Sequence, residues 1–98
     1  MQVKGNKELQ REVLRALVDL TRKRRNRHIY SSSTSIANRT NYNGTKNLYS
    51  YYVPVLLKPY IRSGLVDWVS TPSETGGKDY ISYKANLSRR REIERELK

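Results

Sequence analysis

The sequence contains no cysteine and no phenylalanine, and its 98 residues include one histidine and one tryptophan. Without cysteine there are neither disulfides nor thiolate metal ligands, and a single histidine, His28, offers no ligand pair, so we expect no metal. No apolar run approaches the about 20 residues of a membrane-spanning helix, and residues 1–5 are too polar for a signal peptide. We therefore expect one soluble cytoplasmic domain, residues 1–98, with no membrane partner.

Acidic residues are scarce, and none lies between Asp19 and Asp67. The formal net charge is +11, from 20 Lys and Arg against 9 Asp and Glu. Such a positive field raises the local concentration of polyanions and speeds encounter with them. A surface that served only solubility would mix both signs. The charge therefore favours a nucleic-acid partner, with an acidic protein or a membrane surface as alternatives.

The residues needed for catalysis are also missing. A nucleophilic serine or threonine needs a base beside it, and His28 lies within a run of arginines. Paired carboxylates for acid–base or metal chemistry are absent from the basic half of the chain. We expect no enzyme, no catalytic residue and no cofactor.

The clearest periodicity predicts a first helix over residues 7–25. Asn6 can cap it, and apolar residues recur at helical spacing from Leu9 to Leu20. Residues 28–30 can form a very short strand. Between helix and strand lies a basic cluster, more than a helix C-terminus requires, which we expect to contact phosphates: Arg22, Lys23, Arg24, Arg25 and Arg27.

Residues 33–63 have the pattern of two short helices around an Asn/Gly-rich turn at residues 41–44. The first, with possible caps at residues 31–34, should contain Ile36 and Ala37 and end near Arg39, and the second should start at Thr45. An interior proline removes a hydrogen bond and clashes with the preceding turn, so Pro54 should begin a separate helical piece that runs to residue 62 and belongs to the core. Within this region we expect an inward position for Leu48, Tyr52, Val53 and either Val55 or Leu56.

Gly64 should end this piece, and residues 65–84 alternate as a β-hairpin with a flexible tip. We expect Trp68 to be a core or subunit-contact residue. Asn86 or Ser88 can cap a final helix over residues 88–98. Its apolar edge needs cover from the first helix or from a second copy, and the candidate dimerisation residues are Leu87, Ile93 and Leu97.

The order helix, short strand, helix, turn, helix and hairpin resembles a winged helix-turn-helix DNA-binding protein, over about residues 7–84. The most recognisable piece is LLKPYIRSGLV, residues 56–66, in which a helix runs into Gly-Leu-Val and then a wing. A helix after the wing resembles the PadR-like regulators and small winged-helix proteins of archaea, their plasmids and their viruses. The implied fold is α+β and mostly helical, with a β-hairpin wing and a C-terminal dimerisation helix.

The resemblance implies that the helix after the turn enters the major groove, that the wing reaches an adjacent groove or backbone, and that a homodimer reads two half-sites. The residue types suit this role, because Asn47 can pair with adenine and Lys46 can reach guanine or phosphate. The remaining candidates for DNA contact are Arg39, Asn43, Thr45, Tyr49, Ser50, Tyr51 and Lys78. We prefer a core position for Tyr52 and Tyr60.

The function expected from the sequence is specific binding of double-stranded DNA by a homodimeric transcriptional regulator associated with the nucleoid. Three alternatives stay open. These are a centromere-binding partition protein of an archaeal plasmid, acting with a partner protein, a nucleoid-coating protein, and an RNA-binding winged-helix protein.

Overall fold

The structure, a computed structural model, describes residues 6–23, 30–40, 48–77 and 79–98. Over these ranges the chain is α+β and mostly helical, as predicted. Four α-helices and three strands follow in the order α1 Lys7–Lys23, β1 Ser31–Ser32, α2 Ser33–Arg39, α3 Val53–Arg62, β2 Val66–Thr71, β3 Tyr80–Ala85 and α4 Arg90–Glu96. Single 3₁₀ turns at Ser50–Tyr52 and Leu87–Arg89 lead into α3 and α4.

The first helix begins where the sequence predicts, because the Asn6 side-chain oxygen accepts the Leu9 N–H at 3.0 Å. Its apolar stripe is the largest contribution of any helix to the core, with Val13, Leu14 and Leu17 fully buried. The prediction is confirmed for Lys7–Lys23, and residues 24 and 25 lie outside the described ranges.

The second helix also matches its prediction. The Ser32 hydroxyl accepts the Ser35 N–H at 3.1 Å, and the helix ends at Arg39 with Ile36 and Ala37 buried. The short strand is Ser31–Ser32, so its predicted position over residues 28–30 is wrong at Tyr30, and residues 28 and 29 are outside the described ranges. Pairing with β3 decides the position of this strand and outweighs the strand preference of Tyr30.

Helix α3 confirms the break expected at Pro54, which occupies the first turn, where no N–H is needed. The prediction that a helix starts at Thr45 is wrong over Leu48 and Tyr49, which are not helical, and Tyr49 is extended with φ −74 and ψ 139. A helix continuing through this point would bring the Pro54 ring against the Ser50 carbonyl. Residues 45–47 lie outside the described ranges.

The end of α3 depends on Gly64, as predicted. Its φ of 82° lies in the left-handed region that side chains disfavour. There the Leu65 N–H bonds to the Tyr60 carbonyl at 2.9 Å, and the Gly64 N–H bonds to the Ile61 carbonyl at 3.2 Å. This pair of bonds is a Schellman motif, and it turns the chain directly into β2.

The three strands form an antiparallel sheet in the order β1-β3-β2. Tyr83 and Ala85 are buried as expected for the helix-facing side, but Ile81, also on that side, is 43% exposed. Trp68 lies opposite Tyr83 and is 54% exposed. The core position predicted for Trp68 is therefore wrong, because β2 is an edge strand with a neighbour on one side only. A subunit contact there stays a prediction.

The C-terminal helix is covered by the first helix of the same chain. Arg11 donates to the Lys98 carbonyl at 3.2 Å, and Arg15 donates to the Leu97 carbonyl at 3.0 Å. Ile93 is 1% exposed within the main core, and Leu87 and Leu97 pack partly buried against that core. Ile93 is therefore not available to a second subunit, and a subunit contact at the partly exposed Leu87 and Leu97 stays a prediction.

The start of α4 differs from its prediction. The helix begins at Arg90 after the 3₁₀ turn, and neither Asn86 nor Ser88 caps it. The Asn86 side chain instead donates to the Gly64 carbonyl at 3.2 Å, and the Ser88 hydroxyl donates to Asn86 at 2.6 Å. Asn86 therefore joins the end of the hairpin to the end of α3.

Among the described residues, no helix is both long and apolar enough to cross a membrane.

Thr21 joins α1 to the sheet. Its buried hydroxyl donates to the Leu17 carbonyl at 2.8 Å and accepts the Ala85 N–H at 3.1 Å. Nearby, burial raises the pKa of the Tyr83 phenol above its ordinary value, and a hydrogen bond with Ser33 partly offsets that shift. Polar groups of the sheet are thus held inside the core by specific partners.

We expect Thr21→Val to lower the free energy of unfolding by about 1–3 kcal/mol, because it leaves the buried Ala85 N–H without an acceptor. Thr40→Val is the matched control. Thr40 is also buried, and its hydroxyl donates to the Ile36 carbonyl at 2.8 Å. Removal of this hydroxyl leaves no buried group without a partner, because the Ile36 carbonyl still accepts the Thr40 N–H. Urea unfolding of both variants measures the difference, and equal losses would contradict a role for the bond to Ala85.

Candidate nucleic-acid interface

Three tyrosines form a cluster at the 3₁₀ turn before α3. Tyr52 is half-buried against the core, and Tyr49 and Tyr51 are 60% and 63% exposed. The Tyr51 ring lies 4.4 Å from the Tyr52 ring, and the Tyr49 and Tyr51 rings are nearly parallel at 5.4 Å. The core therefore holds Tyr52, and Tyr52 in turn supports two aromatic faces that are open to solvent.

The Tyr51 hydroxyl of this tyrosine cluster is held in its protonated form. A side-chain hydrogen bond with Tyr52, and secondarily desolvation, raises the pKa of the Tyr51 phenol above its ordinary value. A protonated phenol can donate to a phosphate oxygen, and its ring can contact a thymine methyl or a base face. The hydroxyl and the ring together therefore suit a partner that carries both phosphate groups and bases.

The outer side of α3 continues this surface. Val53, Leu56, Leu57 and Tyr60 face the core, so the opposite side of the helix is left to Val55, Lys58 and Arg62. Val55 is 47% exposed, and the two cations are also exposed. The sequence prediction assigned the piece after Pro54 to the core and missed these cations. Their spacing of four residues, out of phase with the buried positions, could have revealed them.

A second group of candidate residues lies where α1 and α2 end. Arg22 and Lys23 are exposed in the last turn of α1, and Arg39 is exposed in the last turn of α2. Arg39 pairs with Asp19 through its Nε, at 2.6 Å, and through Nη2. Lys23 Nζ lies 3.7 Å from the same carboxylate oxygen. Helix α2, which carries Arg39, also contacts the 3₁₀ turn that carries the tyrosine cluster.

The predicted site residues divide into two sets. The structure brings Tyr49, Ser50 and Tyr51 together, and separately it brings Lys23 to the carboxylate that binds Arg39. Arg22 is exposed beside Lys23 in the last turn of α1. The remaining predicted DNA contacts lie outside the described ranges, and their roles stay predictions: Arg24, Arg25, Arg27, Asn43, Thr45, Lys46, Asn47 and Lys78.

The described part of the hairpin tip is acidic. Glu74 and Asp79 are exposed there, and the Ser70 hydroxyl lies 3.4 Å from an Asp79 oxygen. Two carboxylates near a phosphate would oppose the contact predicted for Lys78. Further down the hairpin, Lys84 is opposite Asp67 and lies over the Tyr30 ring at 4.9 Å. The described cations of the candidate interface therefore lie on the helices.

Within the described ranges there is no group of three histidine, cysteine, aspartate or glutamate residues placed to hold a metal ion. Comparisons with protein-family models, with curated proteins and with solved structures gave no match to this chain. The assignment of a partner therefore depends on the residues and their arrangement.

We expect Lys58→Ala to weaken binding to duplex DNA and to reduce the slope of log K against log salt by about 0.9, the value for one phosphate contact. Lys84→Ala is the matched control, because it removes the same charge from a side chain that already has Asp67 and Tyr30 as neighbours. Binding titrations over a range of salt concentrations measure both. Identical slopes for the two variants would show that Lys58 makes no phosphate contact, and α3 would then not belong to the interface.

Proposed function

We propose that this chain is a winged helix-turn-helix protein that binds double-stranded DNA and regulates transcription. One observation carries the proposal. The outer side of the segment from Tyr49 to Arg62 presents two exposed tyrosines and two exposed cations, with no carboxylate in that segment. This combination favours a ligand that has both phosphates and base edges.

The order of elements supports the winged-helix part of the proposal. A hairpin follows the last helix of the helix-turn-helix region directly at Gly64, and β1 joins that hairpin in one sheet. The outer side of α3 is then the side offered to a groove. An α-helix with its side chains is about 10–12 Å in diameter, and the major groove of B-DNA, about 12 Å wide, admits one.

Each part of this surface has a distinct role in the proposal. Lys58 and Arg62 bind phosphates and position the helix, and the tyrosine hydroxyls add neutral donors to the backbone. Lys46 and Asn47 read bases from the segment that precedes the tyrosine cluster. In this arrangement affinity comes mainly from the cations and depends on salt, and sequence preference comes from the few residues that reach base edges.

Binding of single strands or RNA is the second candidate, and the nearly parallel rings of Tyr49 and Tyr51 favour it. Exposed aromatic faces stack on unpaired bases, which duplex DNA does not present. Affinities for duplex DNA, single-stranded DNA and structured RNA at one salt concentration separate the candidates. The proposal requires the duplex to bind most tightly, and tighter binding of unpaired bases would replace it.

Selection of binding sites from random duplexes should yield a defined sequence. On that sequence we expect Lys46→Ala or Asn47→Ala to cost about 1–3 kcal/mol of binding free energy, and to cost less on random DNA. The comparison of specific and random duplexes is the measurement, with Lys84→Ala as the control. Equal losses on both duplexes would mean that these residues contact only phosphates. Closely spaced repeats of the selected site would favour a partition role.

A homodimer on a palindromic site is a separate part of the proposal. Ile93 is covered by α1, so the interface of the homodimer must use other parts of the surface. We expect Ile93→Ala to destabilise the fold without selectively affecting association. Sedimentation at micromolar concentration, with and without the selected duplex, should give two copies per palindromic site. One copy per site would contradict the reading of two half-sites by a homodimer, but it would be compatible with DNA binding by a single copy.

A further inference from the structure

Three nitrogen atoms from two helices converge on one carboxylate oxygen of Asp19. Arg39, from the end of α2, brings its Nε to 2.6 Å and also its Nη2. Lys23, from the last turn of α1, brings its Nζ to 3.7 Å. The three atoms therefore surround a single point that an oxygen with negative charge occupies.

A guanidinium and an ammonium group around one oxygen is also an arrangement that binds a phosphate oxygen. The side chains of Lys23, Arg39 and Asp19 are 60%, 37% and 43% exposed, so an external anion can reach this point. Asp19 and Arg39 also line an open groove of about 710 Å³, whose other charged lining residues are the cations Arg15, Arg22 and Lys98 and the carboxylates Glu12 and Glu94.

The position of Asp19 in the sequence adds to this argument. It is the last acidic residue before a long carboxylate-free stretch, and it lies where two of the candidate phosphate-binding cations come together. An ion pair this exposed is weak, so it contributes little to folding. It nevertheless neutralises charge that would otherwise attract an external anion.

We propose that Lys23 and Arg39 form a binding site for one backbone phosphate of DNA, and that Asp19 occupies this site in the free protein as an internal competitor. This inference rests on the proposed function. When DNA binds, a phosphate oxygen replaces the Asp19 oxygen between the two cations. The carboxylate lowers affinity for every sequence equally, since it competes with the backbone and not with the bases.

The test uses Asp19→Asn in the full chain, with Glu92→Gln as the matched control. Glu92, on α4, forms a comparable ion pair with Arg89 in the preceding 3₁₀ turn, and the Glu92 side chain is 46% exposed. Both substitutions raise the net charge by one. Only Asp19→Asn should steepen the slope of log K against log salt, by about 0.9, which is about an eightfold gain in affinity at 0.1 M salt. The gain should be the same on specific and random duplexes.

A second pair of variants keeps the test independent of any change in stability. Arg39→Ala should have a small effect on binding in the wild-type background, where Asp19 occupies the arginine, and a several-fold effect in the Asp19→Asn background. Equal effects of Arg39→Ala in the two backgrounds, or equal slopes for Asp19→Asn and Glu92→Gln, would overturn the inference. A loss of affinity in Asp19→Asn would also overturn it, because Asp19 would then orient Arg39 for DNA. Absence of duplex binding by the wild-type chain would instead remove the proposed function itself.

Discussion

Proline 54 cannot donate a backbone hydrogen bond, and this constraint determines the layout of the candidate interface. Pro54 lies in the first turn of α3, which begins at Val53, because in a continuous α-helix its ring would meet the Ser50 carbonyl; the preceding residues adopt an extended segment and a 3₁₀ turn. In that conformation Tyr49 and Tyr51 point into solvent while Tyr52 stays against the core. In an uninterrupted helix Tyr49 and Tyr52, three residues apart, would share one side and Tyr51 would lie on another. The proline thus separates a rigid, core-packed helix from the exposed tyrosine cluster in front of it.

Local signals in the sequence predict the described helices well where one residue satisfies a specific backbone group. Asn6 and Ser32 cap helices at the predicted places, and Gly64 ends α3 because its φ is positive. Predictions that depended on distant partners were less successful. Ser31 and Ser32 form the short strand because β3 is there to pair with them, and no local pattern contains that information. The covering of Ile93 by α1 likewise required the path of the whole chain.

The same distinction applies to the candidate site. Residue type alone identified Tyr49 and Tyr51 as exposed aromatics, and the structure agrees. It did not identify Lys58 and Arg62, because the proline suggested that the whole piece after it was interior. Nor could it show that Arg39 is paired with Asp19, since the two are separated by 20 residues in sequence. Charge counted along a sequence therefore overstates the charge that a folded surface offers to a polyanion.

The exposed position of Trp68 gives the protein an optical label of its own. It is the one tryptophan in the sequence, and it lies 54% exposed on the edge strand of the hairpin. Indole emission responds to the polarity around the ring, so selective excitation of this single side chain reports on the hairpin. The approach of a partner to the hairpin can thus be followed in an unmodified sample.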